Sequence, residues 1–300
     1  MSEPTARLDV MKTYKLFVGG KFPRSESGRV YEVTDAKGQW LANAPLGTRK
    51  DTRDAVLAAR AAVKGWSGTT AYNRGQVLYR VAEMLEGRRE QFAAEVATAE
   101  GIGAKKALAL VDEAIDRWVW YAGWTDKVAQ IAGGANPVAG PFFNLSVPEP
   151  TGVIGIVAPQ TGYGYSLLGL ISVIAPVVAT GNTVVVAVAA DAPLPALSLG
   201  EVLATSDLPG GVVNLVSGRT ADIAPTLASH QDVNGLDLTG AIAADGPGAA
   251  AALEASAADT LKRVLRPAED PSALDWTKSP TTDRLLSFLE TKTVWHPMGL

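Results

Sequence analysis

Between Val153 and Leu265 the apolar residues switch repeatedly between two lengths and two periods, and few architectures accommodate such a chain. Short runs at Val153–Ala158, Thr183–Val188, Val212–Val216 and Gly235–Leu238 have the length and β-branched content of strands. Between them stand Leu167–Ala179, Leu194–Thr205 and Ala221–Ala228, which have the length of helices. An alanine-rich helix at Gly248–Lys262 and a short strand at Arg263–Leu265 close the series. Strand–helix alternation of this kind predicts an α/β fold: a Rossmann-like open parallel sheet with helices on both faces.

Upstream, Lys15–Glu32 alternates as strands do, with turns at Gly19-Gly20 and at the polar stretch Ser25–Gly28. Lys50–Lys64 then changes to helical spacing, placing Ala55, Val56, Ala59, Ala62 and Val63 on one face. Tyr72–Glu86 repeats the pattern through Val77, Leu78, Val81, Ala82 and Leu85, and Gln91–Ala99 continues it. An N-terminal helical region is therefore expected ahead of the sheet. With 47% apolar residues, 300 residues can bury a substantial core. A net charge of −4 gives no electrostatic reason to expect a nucleic acid or an anionic membrane as partner. Met1–Lys15 has no apolar run of leader type, and Leu167–Ala179 is too short to span a bilayer and contains Pro176. A cytoplasmic protein is expected. The chain holds no cysteine, which excludes disulfides, thiolate metal sites and a thiol nucleophile. His230 and His296 are the only imidazoles, so no metal centre is expected.

Several stretches carry more specific information. They are Glu-Pro-Thr-Gly-Val-Ile-Gly-Ile-Val-Ala-Pro (149–159), Ala-Pro-Val-Val-Ala-Thr-Gly-Asn-Thr-Val-Val-Val (175–186), Leu-Pro-Gly-Gly-Val-Val-Asn-Leu-Val-Ser-Gly (208–218) and Leu-Thr-Gly-Ala (238–241). With Ala-Ala-Arg-Ala-Ala-Val-Lys-Gly-Trp-Ser (58–67) and Tyr-Ala-Gly-Trp-Thr-Asp-Lys (121–127), they resemble the cofactor-binding half of the NAD(P)-dependent aldehyde dehydrogenases. The resemblance runs in the family's own order over nearly all of Lys15–Arg263. It implies a chemistry in which a cysteine thiolate attacks an aldehyde carbonyl, and this chain has no thiol to supply. Where the family continues through a glutamate-containing Glu-Leu-Gly-Gly segment, this sequence reads Leu265-Arg266-Pro267. After a short amphipathic segment, Asp283–Leu289, it reaches Thr291–His296, which resembles the Lys-Thr-Val-Trp run near the family's C-terminus.

The resemblance thus implies an internal deletion of the catalytic domain. Residues 1–139 and 150–266 would form the NAD-binding-like domain, and 140–149 with 291–300 a protruding β oligomerisation arm. Residues 267–290 would be a linker and short helix in place of the catalytic domain. Carried over position by position, the family's cofactor contacts fall on Pro159, Thr161, Gly218, Thr239 and Gly240 as vestiges. The places of a ribose-binding lysine and glutamate hold Ala187 and Ala190, those of an aromatic and an oxyanion-holding asparagine hold Gln160 and Thr161, and a glycine beside the phosphates has become Asp245. The glycines read equally well as turn residues, His230 as a helix cap, and Glu269 and Asp270 as solvated carboxylates.

No catalytic residue and no dinucleotide binding are expected, with NAD(P) as the cofactor if the site survives. In the family's fold the arm pairs with a neighbouring subunit, which gives Phe142, Phe143, Leu145, Val147, Val294 and Trp295 as interface residues. The arrangement resembles the non-catalytic second half of two-domain aldehyde dehydrogenases. It implies a pseudoenzyme subunit that forms a homodimer through helices of the parallel-sheet domain and a hetero-oligomer with a full-length aldehyde dehydrogenase. Two alternatives stand beside it: a weakly active NAD(P)-binding oxidoreductase, and a free-standing structural homodimer.

Overall fold

The structure, a computed structural model, describes residues 10–299; Met1–Asp9, from the polar N-terminal stretch, and Leu300, from the expected arm, lie outside the described residues. A hairpin of β1 (Val30–Thr34) and β2 (Trp40–Pro45) leads into four successive helices, α1 (Arg49–Gly68), α2 (Ala71–Glu86), α3 (Arg89–Glu100) and α4 (Ala104–Trp124). Thr48 starts α1 with a reciprocal cap: its hydroxyl accepts from the Asp51 N–H while the Asp51 carboxylate accepts from the Thr48 N–H. Of the strand-like stretch Lys15–Glu32, only its end, from Val30, is a strand. Phe17 instead exchanges backbone hydrogen bonds with Leu215 on the outermost strand of the main sheet, and Val18 turns back to Lys21. Gly20 forces that turn, because it stands at φ 74° against the backbone of Gly210. The segment therefore covers a sheet edge rather than building a hairpin of its own. The helix α4 lies outside the segments picked by periodicity, although its buried residues Ala107, Leu110, Val111, Ala114, Trp118 and Tyr121 recur at helical spacing.

After the short α5 (Val128–Ala132) come β3 (Gly134–Asn136) and the long β4 (Phe142–Pro150). The parallel sheet follows: β5 (Val153–Val157), α6 (Leu170–Ala179), β6 (Thr183–Ala187), α7 (Leu194–Ala204), β7 (Val213–Val216), α8 (Thr220–Ser229), β8 (Gly235–Asp237), α9 (Ala241–Ala258) and β9 (Arg263–Leu265). Its order is β7-β6-β5-β8-β9, with every pair parallel. Helices α2, α4, α6 and α7 pack with one face, while α1, α8 and α9 cover the other. The Rossmann-like open sheet with flanking helices is thus present. Helix α9 begins earlier than its alanine-rich part suggests and is broken at Gly246, whose φ 83° and ψ 171° only glycine adopts readily. Pro247 then restarts it, its fixed φ suiting a first helical turn.

The stretch expected as a linker is not solvated throughout. A 3-10 turn at Pro271–Ala273 and the helix α10 (Asp283–Ser287) lie on the body of the protein, and Trp276, Leu285 and Phe288 join the core on the α6 side. Leu285 and Phe288 stand at helical spacing in the expected short helix, but Trp276 is isolated from them by a polar stretch containing Pro280 that reads as loop. The chain then enters β10 (Leu289–Pro297), which pairs antiparallel with all nine residues of β4. A separate sheet of order β10-β4-β3 results. Among the described residues no helix is long and apolar enough to cross a membrane.

Candidate functional site

In the main sheet the chain leaves β5 toward β6 and β7 on one side and returns to build β8 and β9 on the other. The connections after β5 and after β8 therefore diverge and leave a crevice at the carboxyl ends, which is where open parallel sheets bind ligands. Pro159 and Thr161 lie in the first connection, and Thr239 and Gly240 in the second. The fold thus gathers these four expected residues around one crevice. Gly218 follows β7, on the far side of β6.

The local chemistry of each is narrower than a ligand site. Gly240 is required by close approach: a Cβ there would lie 1.8 Å from the Ala158 carbonyl oxygen, and the Gly240 N–H donates to Val157 O at 3.0 Å. Gly218 is fixed by φ 146° and by the Gly47 backbone, whose nitrogen would be 3.0 Å from an added Cβ. The Thr239 hydroxyl is buried and engaged by chain neighbours. It donates to the Asp237 carboxylate and accepts from Arg284 Nη2 at 2.7 Å, while Arg284 Nη1 pairs with the other Asp237 oxygen. Gln160 folds back over its own strand, donating to Ala158 O at 2.8 Å and accepting from the Ala190 N–H at 3.0 Å. Ala190 is held on its other side by the Tyr31 hydroxyl, 3.0 Å from its carbonyl oxygen. Ala187 is fully buried.

Beyond Thr161 the connection runs through Gly162 (φ 96°) and Gly164 (φ 82°) into a π-helical turn, Tyr165–Gly169. Glu100 holds it there, accepting from the N–H groups of Gly164 (2.8 Å) and Ser166 (3.0 Å) and from the Ser166 hydroxyl (2.6 Å). Glu100, Asp237 and Arg284 are not legible as site residues in the sequence, since a carboxylate that caps a loop from a distant helix carries no sequence signature. A cleft of about 240 Å³ lies between α8 and α9, apolar except for Thr220, Asp245 and Ser256. The Thr220 hydroxyl is buried without a hydrogen-bond partner. Burial, with help from Asp222, holds the Asp245 carboxyl above the usual carboxylate range.

A dinucleotide does not fit these residues. Ala187 and Ala190 offer no side-chain donor or acceptor, the Thr239 hydroxyl is already paired, and Asp245 places a carboxyl on α9 just before its break at Gly246. The helical segment ahead of that break is short, which weakens its dipole. Glu269 is exposed, and Asp270 accepts from the Ser272 N–H and hydroxyl, as a turn-forming aspartate does. His230 ends α8 and accepts from the Asp232 N–H at 3.1 Å, and His296 lies exposed in β10. Among the described residues no group of three or more His, Cys, Asp or Glu is placed to hold a metal.

The expected interface residues all fall on the β4–β10 pair, but not on one surface. Register places Phe143 opposite His296, Leu145 opposite Val294 and Val147 opposite Lys292, so these share a face. Phe142 and Trp295 point to the other face, where their rings meet edge to face at 5.8 Å. Asn136, Asn144, Ser146 and Thr293 form a hydrogen-bonded row beside them. Phe143 is 47% exposed and Trp295 58%.

The sequence profile of the aldehyde dehydrogenase family matches residues 22–266. Cytosolic 10-formyltetrahydrofolate dehydrogenase of Mus musculus is 35% identical over 246 residues, which are 78% of this chain and 26% of that protein. Retinal dehydrogenase 2 of Gallus gallus is 33% identical over 249 residues, 80% of this chain and 46% of that protein. Among solved structures, HpcC from Thermus thermophilus superposes with a TM-score of 0.77 at 31% identity, covering 84% of this chain and 47% of that one. An aldehyde dehydrogenase from Bacillus cereus, solved as an NAD+ complex, gives a TM-score of 0.77 at 26% identity, covering 84% and 50%. The chain therefore spans about a quarter to a half of the relatives it matches.

Proposed function

The chain belongs to the aldehyde dehydrogenase family, and we propose that it serves there as a non-catalytic subunit, assembling with and supporting a full-length NAD-dependent aldehyde dehydrogenase. The observation that carries this reading is the β4–β10 pair. It is complete over nine residues, it stands in a sheet separate from the body, and it leaves Phe142, Phe143, Val294 and Trp295 between 39% and 58% exposed. An apolar arm with an unpaired outer strand edge is costly on an isolated chain and gains by covering. Two further facts support a subunit without its own chemistry: the sequence holds no cysteine, and the family match ends at residue 266. We further propose a homodimer through helices of the parallel-sheet domain, which would leave both arms free.

The test is affinity purification of the tagged chain from its native cell, followed by co-expression with any cysteine-bearing aldehyde dehydrogenase recovered. Size exclusion with light scattering should show one complex, with the partner's activity or thermal stability raised in it. Separate elution at concentrations well above cellular levels, with the partner's activity unchanged, refutes the reading. So does steady NADH formation from an aldehyde panel by the purified chain alone.

A further inference from the structure

We infer that residues 271–288 are a self-docked strap: they close the crevice between the β5 and β8 connections with the chain's own residues, and two arginines hold them shut. Independently of any partner, contacts on both sides of the crevice carry this. On the β5 side, Tyr163 forms a β-bridge with Asp275, and Gly162 lies so close that an added Cβ would be 2.9 Å from the Leu274 carbonyl oxygen. The Trp276 ring lies on Gly169, where an added Cβ would meet it at 3.0 Å. On the β8 side, the turn Pro271–Ala273 packs against α9, and Arg284 binds Asp237 and Thr239. A segment that touches both diverging connections must cross the opening between them.

The two arginines grip the strap at separate points. Arg117, buried in α4, donates through Nη1 to the Ser172 hydroxyl at 2.8 Å and through Nη2 to the carbonyls of Trp276 and Lys278 at 2.9 and 3.0 Å. Two of its three acceptors thus belong to the strap, and none is a carboxylate. A guanidinium stays charged under these conditions, so its bonds to neutral carbonyls are charge-assisted and short. Arg284 is the second grip, from the strap to the body, and its partner Asp237 is fully buried. The Thr239 hydroxyl and the Asp237 carboxylate, which lie at the switch point, are thus taken up in holding the strap, and a dinucleotide meets a closed crevice as well as a weakened site.

The absence of cysteine makes the test clean, because one introduced thiol reports alone. In Thr239→Cys, which leaves the Arg284–Asp237 pair and the Arg117 grip in place, reaction with a small maleimide should be slow, and adding Arg117→Met should speed it by about tenfold or more, one decade being 1.4 kcal/mol of closure. Millimolar NAD+ should leave the unloosened rate unchanged. Independently, Lys278 is exposed but its carbonyl is held by Arg117, so trypsin should cut Lys278–Ser279 slowly in the natural chain and about tenfold faster in Arg117→Met. If Arg117→Met unfolds globally, seen as equal acceleration at every tryptic site, Trp276→Ala replaces it with the same two expectations. Labelling of the introduced thiol in the unloosened chain at the rate of a free surface thiol overturns the inference. Protection of that thiol by NAD+, or unchanged rates in both loosened variants, does so as well.

Discussion

Gly240 and His230 each tie a single position to a measurable property of the fold. Gly240 has an ordinary φ of −90°, so its need for glycine is not conformational; it is the 1.8 Å between a would-be Cβ and the Ala158 carbonyl. Gly240→Ala must push β5 and the start of α9 apart, and should cost more than about 4 kcal/mol or prevent folding, as urea unfolding would reveal. A loss below 1 kcal/mol, roughly the scale of a tolerated surface change, would contradict the close approach. His230 makes a subtler prediction. Burial lowers its pKa below 6.5, with Arg53, Lys262 and Arg60 adding repulsion and Asp232 opposing them, and its Nδ1 accepts from the Asp232 N–H. As pH falls through 6.5 the unfolded chain takes up a proton that the folded chain resists, so stability present above that pH is lost below it. His230→Asn, which keeps an acceptor and removes the titration, should flatten this part of the stability–pH curve relative to the natural chain. Identical slopes in the two proteins would exclude the effect.

At the scale of elements, the sequence is most readable where period and length coincide. The strands at Val153, Thr183, Val212 and Gly235 and the helices between them lie within a few residues of their expected bounds, because each is a contiguous apolar run with polar or glycine boundaries. The stretch at Lys15–Glu32 and the docking of Trp276 mislead for one shared reason: their partners are distant in sequence, whereas the short helix at Asp283–Ser287 lies where its amphipathic spacing puts it. Phe17 finds Leu215 and Trp276 finds Gly169, and neither pairing leaves a local trace. The same holds in the crevice, where Gly240 and Thr239 stand out by motif while Glu100, Arg117 and Arg284 act from other elements. The burial of Phe288 gives this scale its own prediction. It is 2% exposed, its ring abuts Gly235, and its carbonyl accepts from Asn182 Nδ2 at 2.9 Å. Phe288→Ala should cost about 3–5 kcal/mol, as for an aromatic removed from a core. A near-zero change in the urea midpoint would mean that α10 is appended to the fold and not part of it.

For the whole molecule the division of the arm into two faces matters most. Phe143, Leu145, Val147 and Val294 form an apolar cluster on one face beside Lys292 and His296, whereas Phe142 and Trp295 border a polar row. A partner sheet packed on the apolar face should be weakened about tenfold or more by Phe143→Glu and far less by Trp295→Glu, with the proposed homodimer intact in both. Equal effects, measured by light scattering across a dilution series, would rule out one-sided packing. The same pairing also has a consequence in time. During synthesis β4 leaves the ribosome early, and the whole parallel sheet and the strap must follow before β10 emerges. Until then β4 has only the three-residue β3 along one edge, and its other edge is open to the first strand that reaches it. Translation order thus sets a contest between the chain's own late strand and a nascent neighbour's, and slowing the ribosome between the two would favour the neighbour.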